Sequence, residues 1–302
     1  MIRSAKFPFR WLLALAFALW VSCPAWAQSA YTPPLWEVQA GQNRIYLFGT
    51  IHVGRPDFYP LPAAVQSAYR DSDVLALEVD PNNQQEAMTA VMSAMYSPPD
   101  NIENHLPSEL LTRVASLCQS YGLPFDQLRQ MKPYLLMFTL TNFEYGKLGF
   151  SPEQGLESHF AERASMDGKT LVALESMTQQ MQMLDQLSPE LQTAMLNITV
   201  DEISNGEVAT LASEMIDAWR SGNVDALGAV LSSEENELPD ALAAQFHRQF
   251  ISERNQDMAQ KIERMLQSGK RVFVAVGAMH MAGVDGIPAT LAAKGYKVKP
   301  LH

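Results

Sequence analysis

Two apolar, β-rich runs near opposite ends of the chain each finish in the same short pattern, and this pairing constrains the fold more than any other feature. Arg44-Ile45-Tyr46-Leu47-Phe48 leads into Gly49-Thr50-Ile51-His52, and Arg271-Val272-Phe273-Val274-Ala275-Val276 leads into Gly277-Ala278-Met279-His280. Short apolar runs bounded by Gly read as buried strands. In open α/β sheets, ligands bind beyond the carboxyl ends of the strands. Two imidazoles delivered to two such ends can therefore meet in one site, although 228 positions separate His52 from His280. Each motif alone also fits a plain polar residue closing a strand.

Further runs extend the sheet. Residues 35–53 read as two strands joined at the turn-rich tetrad Ala40-Gly41-Gln42-Asn43. Val74 to Val79 and Thr170 to Glu175 read as strands, each preceded by a helix and an Asp-containing turn, and each carries Ala-Leu-Glu at its end, at 76–78 and at 173–175. The repetition fits either a remote internal duplication or one local solution reached twice. Tyr296 to Leu301 closes the chain as a strand. Residues 83–147 and 176–268 carry helical periodicity, as in Leu110, Leu111, Val114, Leu117 and Cys118, and Asp240 to Met265 reads as one long helix. The expected fold class is α/β, mixed α+β: a central mixed sheet built from both chain ends, with a large helical middle segment packed on it or capping it.

The first residues read as a secretory signal. Arg3, Lys6 and Arg10 precede the apolar stretch Trp11 to Val21, and Ala25-Trp26-Ala27 supplies a cleavage site, so the mature chain is expected to begin at Gln28 as a single domain over 28–302 in the periplasm or outside the cell. Lipid attachment at Cys23 is the lesser reading, because Trp20-Val21-Ser22 matches the usual box poorly. No later stretch is apolar enough to span a membrane. Loss of residues 1–27 moves the net charge from −11 to −14. So acidic a chain argues against nucleic acid and anionic lipid as partners. Only Cys118 then remains, on an apolar helical face where it reads as buried and inert.

Four expected strand ends carry His52, Glu78, Glu175 and His280. Two imidazoles with one or two carboxylates suit a divalent ion such as Zn, Mn or Co, with a free carboxylate left to move protons. For Glu175, followed by Ser176 and a helical run, a plain capping or edge role is equally open. The chain holds no HExxH, CxxC, G-x-S-x-G or Walker A pattern. His105, His159, His247 and His302 lack a strand-end setting and read as structural. Met at helical spacing, as at Met177, Met181 and Met183, reads as core filling.

Taken in order, these segments resemble the TraB/PrgY/GumN/TIKI family. Ile45 to Gly54 looks like its opening motif and Val74 to Asp80 like its glutamate motif. Gly155-Leu156-Glu157 and Leu174-Glu175, with Gln179 or Gln180 after, look like its middle motifs. Glu253-Arg254-Asn255 followed by Phe273 to Gly286 looks like its closing block. The secretory signal fits the bacterial GumN-like branch. The resemblance implies a fold related to the erythromycin esterase and ChaN-like proteins, and for the animal members a metal-dependent peptidase. Carried over, it implies His52, His280 and Glu78 as metal ligands and Glu78, Glu175 and Arg254 as catalytic groups. Gly49, Thr50, Glu157, Asn255 and Gly277 would then line a substrate site for a peptide or small molecule. Two other roles stand beside this one: haem, iron or small-ligand capture on a ChaN-like scaffold, and an accessory role in an export or polysaccharide system. Which glutamate is ligand and which is base stays open.

Overall fold

A computed structural model describes residues 31–301; the expected signal and Cys23 lie outside the described residues, as does His302. Six strands form one sheet: β1 (Leu35–Ala40), β2 (Asn43–Thr50), β3 (Val74–Leu77), β4 (Thr170–Ala173), β5 (Val272–Gly277) and β6 (Lys297–Pro300), in the order β4-β3-β5-β2-β1-β6. β4, β3, β5 and β2 run parallel, whereas β1 pairs antiparallel with both β2 and β6. The mixed sheet expected from the two chain ends is therefore present. Its centre brings β2 beside β5, with Leu47 opposite Val274 and Thr50 opposite Gly277. The four parallel strands all end on one side of the sheet, and that side receives the polar strand ends.

Alternation along the strands makes two apolar faces. Ile45, Leu47, Val272, Val274 and Val276 point to one, where Met258, Ile262 and Leu266 of the helix Glu253–Gln267 cover them at a spacing of four. Phe48, Leu75, Leu77 and Phe273 point to the other, under Tyr69 of the helix Ala63–Arg70 and Phe160 of the helix Leu156–Asp167. The inner strands β2, β3 and β5 are buried on both faces, which is why they read as continuous apolar runs, whereas the edge strands β4 and β6 are part-exposed.

The helical middle builds cores of its own. Leu110, Val114 and Cys118 meet Leu136, Leu140, Leu196 and Val200 in one cluster, so Cys118 is buried as expected. Tyr145 and Leu148 pack against both this cluster and the sheet core. The long helix expected from Asp240 to Met265 differs in detail. It comprises an α-segment Asp240–Phe246, a π-helical stretch His247–Ser252 and a second α-segment Glu253–Gln267. Periodicity alone does not register the extra residue that a π-turn holds. No helix among the described residues is long and apolar enough to cross a membrane.

Candidate functional site

Backbone crossings place the first imidazole. The loop after β2 is tied to the loop before the helix Leu156–Asp167: Gly54 and Ser151 exchange N–H···O bonds at 2.9 Å each way, and Leu156 N–H donates to Ile51 C=O at 3.2 Å. Glycine is required where these loops touch. A Cβ on Gly54 would stand 1.9 Å from Gln154 O, and one on Gly155 would stand 2.0 Å from His52 O. The crossing sets Glu157, in the first turn of the helix, beside the end of β2. Its Oε1 lies 2.9 Å from His52 Nδ1 and also accepts from the Thr50 hydroxyl.

The second imidazole follows β5 directly, on the short turn Ala278–Met281. His280 is buried, and its Nδ1 lies 2.6 Å from Asn255 Oδ1. Asn255 Nδ2 donates to the Asp285 carbonyl at 3.0 Å, which fixes the amide so that its oxygen faces His280. The proton of a neutral His280 therefore sits on Nδ1, and the Nε2 lone pair turns toward Glu78 Oε1, 3.9 Å away.

Glu78 directly follows β3 and sits between the two histidines. Its Oε1 accepts from Gly277 N–H at 2.6 Å, and its Oε2 accepts from Arg254 Nη2 at 2.6 Å. Arg254 also holds Glu175, through Nη2 at 2.7 Å and Nε at 3.0 Å. Gln180 Nε2 donates to Glu175 at 2.9 Å and to Glu78 at 3.3 Å. The two Ala-Leu-Glu segments are thus neighbouring parallel strand ends whose carboxylates share one guanidinium, and Glu175 N–H donates to the Glu78 carbonyl at 2.7 Å. The Glu175 side chain is buried and held on both sides, not that of a solvated edge residue.

The electrostatics follow from these contacts. Burial opposes charge on Glu78, but the imidazoles of His280 and His52, the Arg254 guanidinium and the Gly277 N–H outweigh it and hold the carboxyl down to about 2. Burial pushes His280 down to about 4, so it is neutral near pH 7. The Glu157 carboxylate raises His52 above its usual value. The His52 side chain is 65% exposed, so water screens that pair.

The donor chemistry and orientation at these strand ends fit a divalent ion. Both imidazoles have Nδ1 engaged by an oxygen acceptor and Nε2 left over, the arrangement that outer partners impose on ligating histidines. His52 Nε2 and Glu78 Oε1 converge over Gly277, where a Cβ would lie 3.3 Å and 3.1 Å from them. Glu157 Oε2 is buried with no hydrogen-bond partner, so the site is short of one polar neighbour. Among the described residues no three or more His, Cys, Asp or Glu side chains are gathered as a coordination group.

The structure brings together His52, Thr50, Glu78, Glu157, Glu175, Arg254, Gly277 and His280. Two expected lining residues have other contacts. Gly49 packs on Ala278 and Met281 and its carbonyl accepts from Trp219 Nε1 at 2.8 Å, while Asn255 stands behind His280. Residue reading missed Asp285, whose carbonyl orients Asn255. His247, read as structural, bridges Glu235 at 2.7 Å and Asp285 at 3.0 Å. Beside Arg254 a polar pocket of about 230 Å³ opens, lined also by Gln180, Gln249, Glu253 and Asp257.

Comparison with known proteins bears on the family. The sequence model of the TraB/PrgY/gumN family matches residues 34–300. The chain is 25% identical over 262 residues to a protein of Escherichia coli strain K12 whose name is "Uncharacterized protein YbaP", covering 86% of this chain and 93% of that one. The protein of the same name from Shigella flexneri matches to the same extent. No solved structure matches the chain.

Proposed function

The chain belongs to the TraB/PrgY/gumN family, and from that premise we propose that its strand-end site is the centre of a metal-dependent hydrolase acting on peptide bonds outside the cytoplasm. The observation that carries the reading is the matched orientation of two imidazoles around one carboxylate. His52 Nδ1 is held by Glu157 at 2.9 Å, His280 Nδ1 by Asn255 at 2.6 Å, and Glu78 Oε1 lies between their Nε2 sides. His52, His280 and Glu78 are the residues that would hold Zn, Mn or Co. A bound divalent ion supplies Lewis acidity toward a carbonyl oxygen and acidifies water.

The chain's own groups have distinct tasks in this reading. Glu157, through His52, keeps one imidazole turned inward. Asn255 does the same for His280. Arg254 neutralises Glu78 and Glu175 together and stands where a carboxylate or a developing oxyanion of the substrate would find a charged donor. Glu175 has no bond to either histidine and is held by Arg254 and Gln180, so it is the carboxylate that would exchange protons with substrate once Arg254 leaves it for the substrate.

Peptide-library hydrolysis tests the proposal. The wild-type protein loaded with each ion in turn should cleave, and Glu78→Gln and His280→Ala should not. Equal turnover in all three would remove the reading. A second role, capture of haem or another large ligand, is favoured by one observation: the His52 ring is 65% exposed at the mouth of the site. Mixing with haem would then give a Soret band that His52→Ala abolishes.

A further inference from the structure

Within the helical middle lies a cavity of about 310 Å³ whose lining includes none of His52, Glu78, Glu157, Glu175, Arg254 and His280. It is bounded by the helices Pro133–Lys147, Pro189–Asn205 and Val208–Ser221 and by the α-to-π stretch that contributes Phe246 and Phe250. The space is open to solvent on one side, and its volume is that at which ligand pockets begin, near about 300 Å³.

Its chemistry is specific. Ten of the fourteen lining side chains are apolar, three of them the methionines Met137, Met195 and Met215. Met side chains re-pack around ligands of variable shape. The remaining four are Thr141, Thr199, Tyr145 and Glu202. The lining holds no Lys, Arg or His and one carboxylate. An anionic headgroup would meet no counter-charge there, and its burial would be strongly disfavoured. A neutral group able to hydrogen-bond with threonine hydroxyls is suited to it.

We infer that this cavity is a binding site for a neutral amphiphile with one linear apolar chain, such as an alcohol, amide or ester of a medium-length acyl chain. The π-helical stretch contributes Phe250 to the lining, and Phe246 just before it lines the pocket too. Phe246 and Phe250 stack there with ring centroids 4.5 Å apart. π-turns inside α-helices recur at functional sites because they displace side chains from regular positions. Here the stretch turns Phe250 into the cavity, while the Phe250 carbonyl lies 3.5 Å from Arg254 Nη1. The inference stands apart from the hydrolase reading and needs no metal.

The test is binding of N-phenyl-1-naphthylamine, a neutral dye that brightens in apolar surroundings, to the chain from Gln28 onward. One dye per chain should bind, and 1-decanol should displace it. Decanoate should compete at least about tenfold more weakly, as burial of an unpaired carboxylate requires. Thr199→Phe and Leu211→Trp fill the cavity from different helices, and either one that folds should cut dye affinity by at least about tenfold. His280→Ala should leave affinity unchanged, which separates this site from the strand-end site. The rival location is the exposed apolar face of the helix Gln84–Ser93, where Met88 is 67% and Met92 64% exposed. Methyl NMR resolves the two without substitutions: decanol should shift Met137, Met195 and Met215 and leave Met88 and Met92 in place. No dye binding, shifts confined to Met88 and Met92, equal competition by decanoate, or binding indifferent to the filling variants would each overturn the inference.

Discussion

Asn255 Oδ1 lies 2.6 Å from His280 Nδ1, and the same amide donates through Nδ2 to the Asp285 carbonyl at 3.0 Å. A fully buried amide is thus pinned at one end so that its other end selects one tautomer of a buried histidine. Asn255→Ala should leave the Nδ1 proton without a partner and cost about 1–3 kcal/mol by urea denaturation. Divalent-ion affinity should fall by about 10–100-fold, the usual effect of losing an outer partner of a ligating histidine. Asn255→Asp keeps an acceptor and should recover much of that affinity. Equal affinity in the Ala variant and the wild type would contradict this role.

The glycines of the site should separate into two kinds. At Gly54 and Gly155 a Cβ would run into backbone, 1.9 Å from Gln154 O and 2.0 Å from His52 O. Alanine at either position should destabilise the fold by more than about 2 kcal/mol, because neither backbone segment can yield without breaking its bridge. At Gly277 the nearest atoms are the side-chain atoms Glu78 Oε1 at 3.1 Å and His52 Nε2 at 3.3 Å. Gly277→Ala should cost less than about 1 kcal/mol in stability yet weaken ion binding at least about tenfold by displacing those two atoms. Thermal melts beside ion titrations of the three variants check the contrast.

The Arg254 guanidinium lies between Glu78 and Glu175, and the three side chains are 15%, 6% and 9% exposed. Arg254→Leu should destabilise by about 3–5 kcal/mol, since it strands two buried carboxylates. Arg254→Lys should recover part of this, because a point charge cannot match the fork that serves both partners. Denaturation midpoints near pH 7 measure the difference.

Acid should act on the ion-free protein through two adjoining windows. Glu78, held down to about 2, takes up a proton in the unfolded chain before the folded one, so its contribution is present above the usual Glu range and is lost as pH falls toward 2. His280, pushed down to about 4, likewise contributes fully above the ordinary His value and loses that contribution as pH falls from about 6.5 to 4. Stability should therefore decline with falling pH across both windows. Glu78→Gln should flatten the lower part of the curve and His280→Gln the upper part. Curves of unchanged slope would contradict the assignment.

Much of this site was legible before the fold was known, for a physical reason. β2, β3 and β5 are buried on both faces, so they stand out as unbroken apolar runs, and the polar residues that follow them, His52, Glu78 and His280, mark their ends. Glu175 follows the part-exposed edge strand β4 and is legible instead through the repeated Ala-Leu-Glu. The order of strands was not legible, since no local pattern states that β5 inserts between β3 and β2. The partners that orient the histidines were harder. Glu157 and Asn255 entered through family resemblance, and Asp285 acts through a backbone carbonyl that carries no residue signature. The π-turn at His247–Ser252 adds one residue to a helical turn without altering composition.

The central claim is that two histidines from opposite ends of the chain serve one ion with Glu78. Its most direct test is calorimetric titration of Mn, Co and Zn into the chelator-stripped chain from Gln28 onward, with His52→Ala and His280→Ala alongside. One tight site per chain, lost in both variants while their melting curves stay cooperative, is the predicted result. No binding, or binding that neither substitution alters, would contradict it.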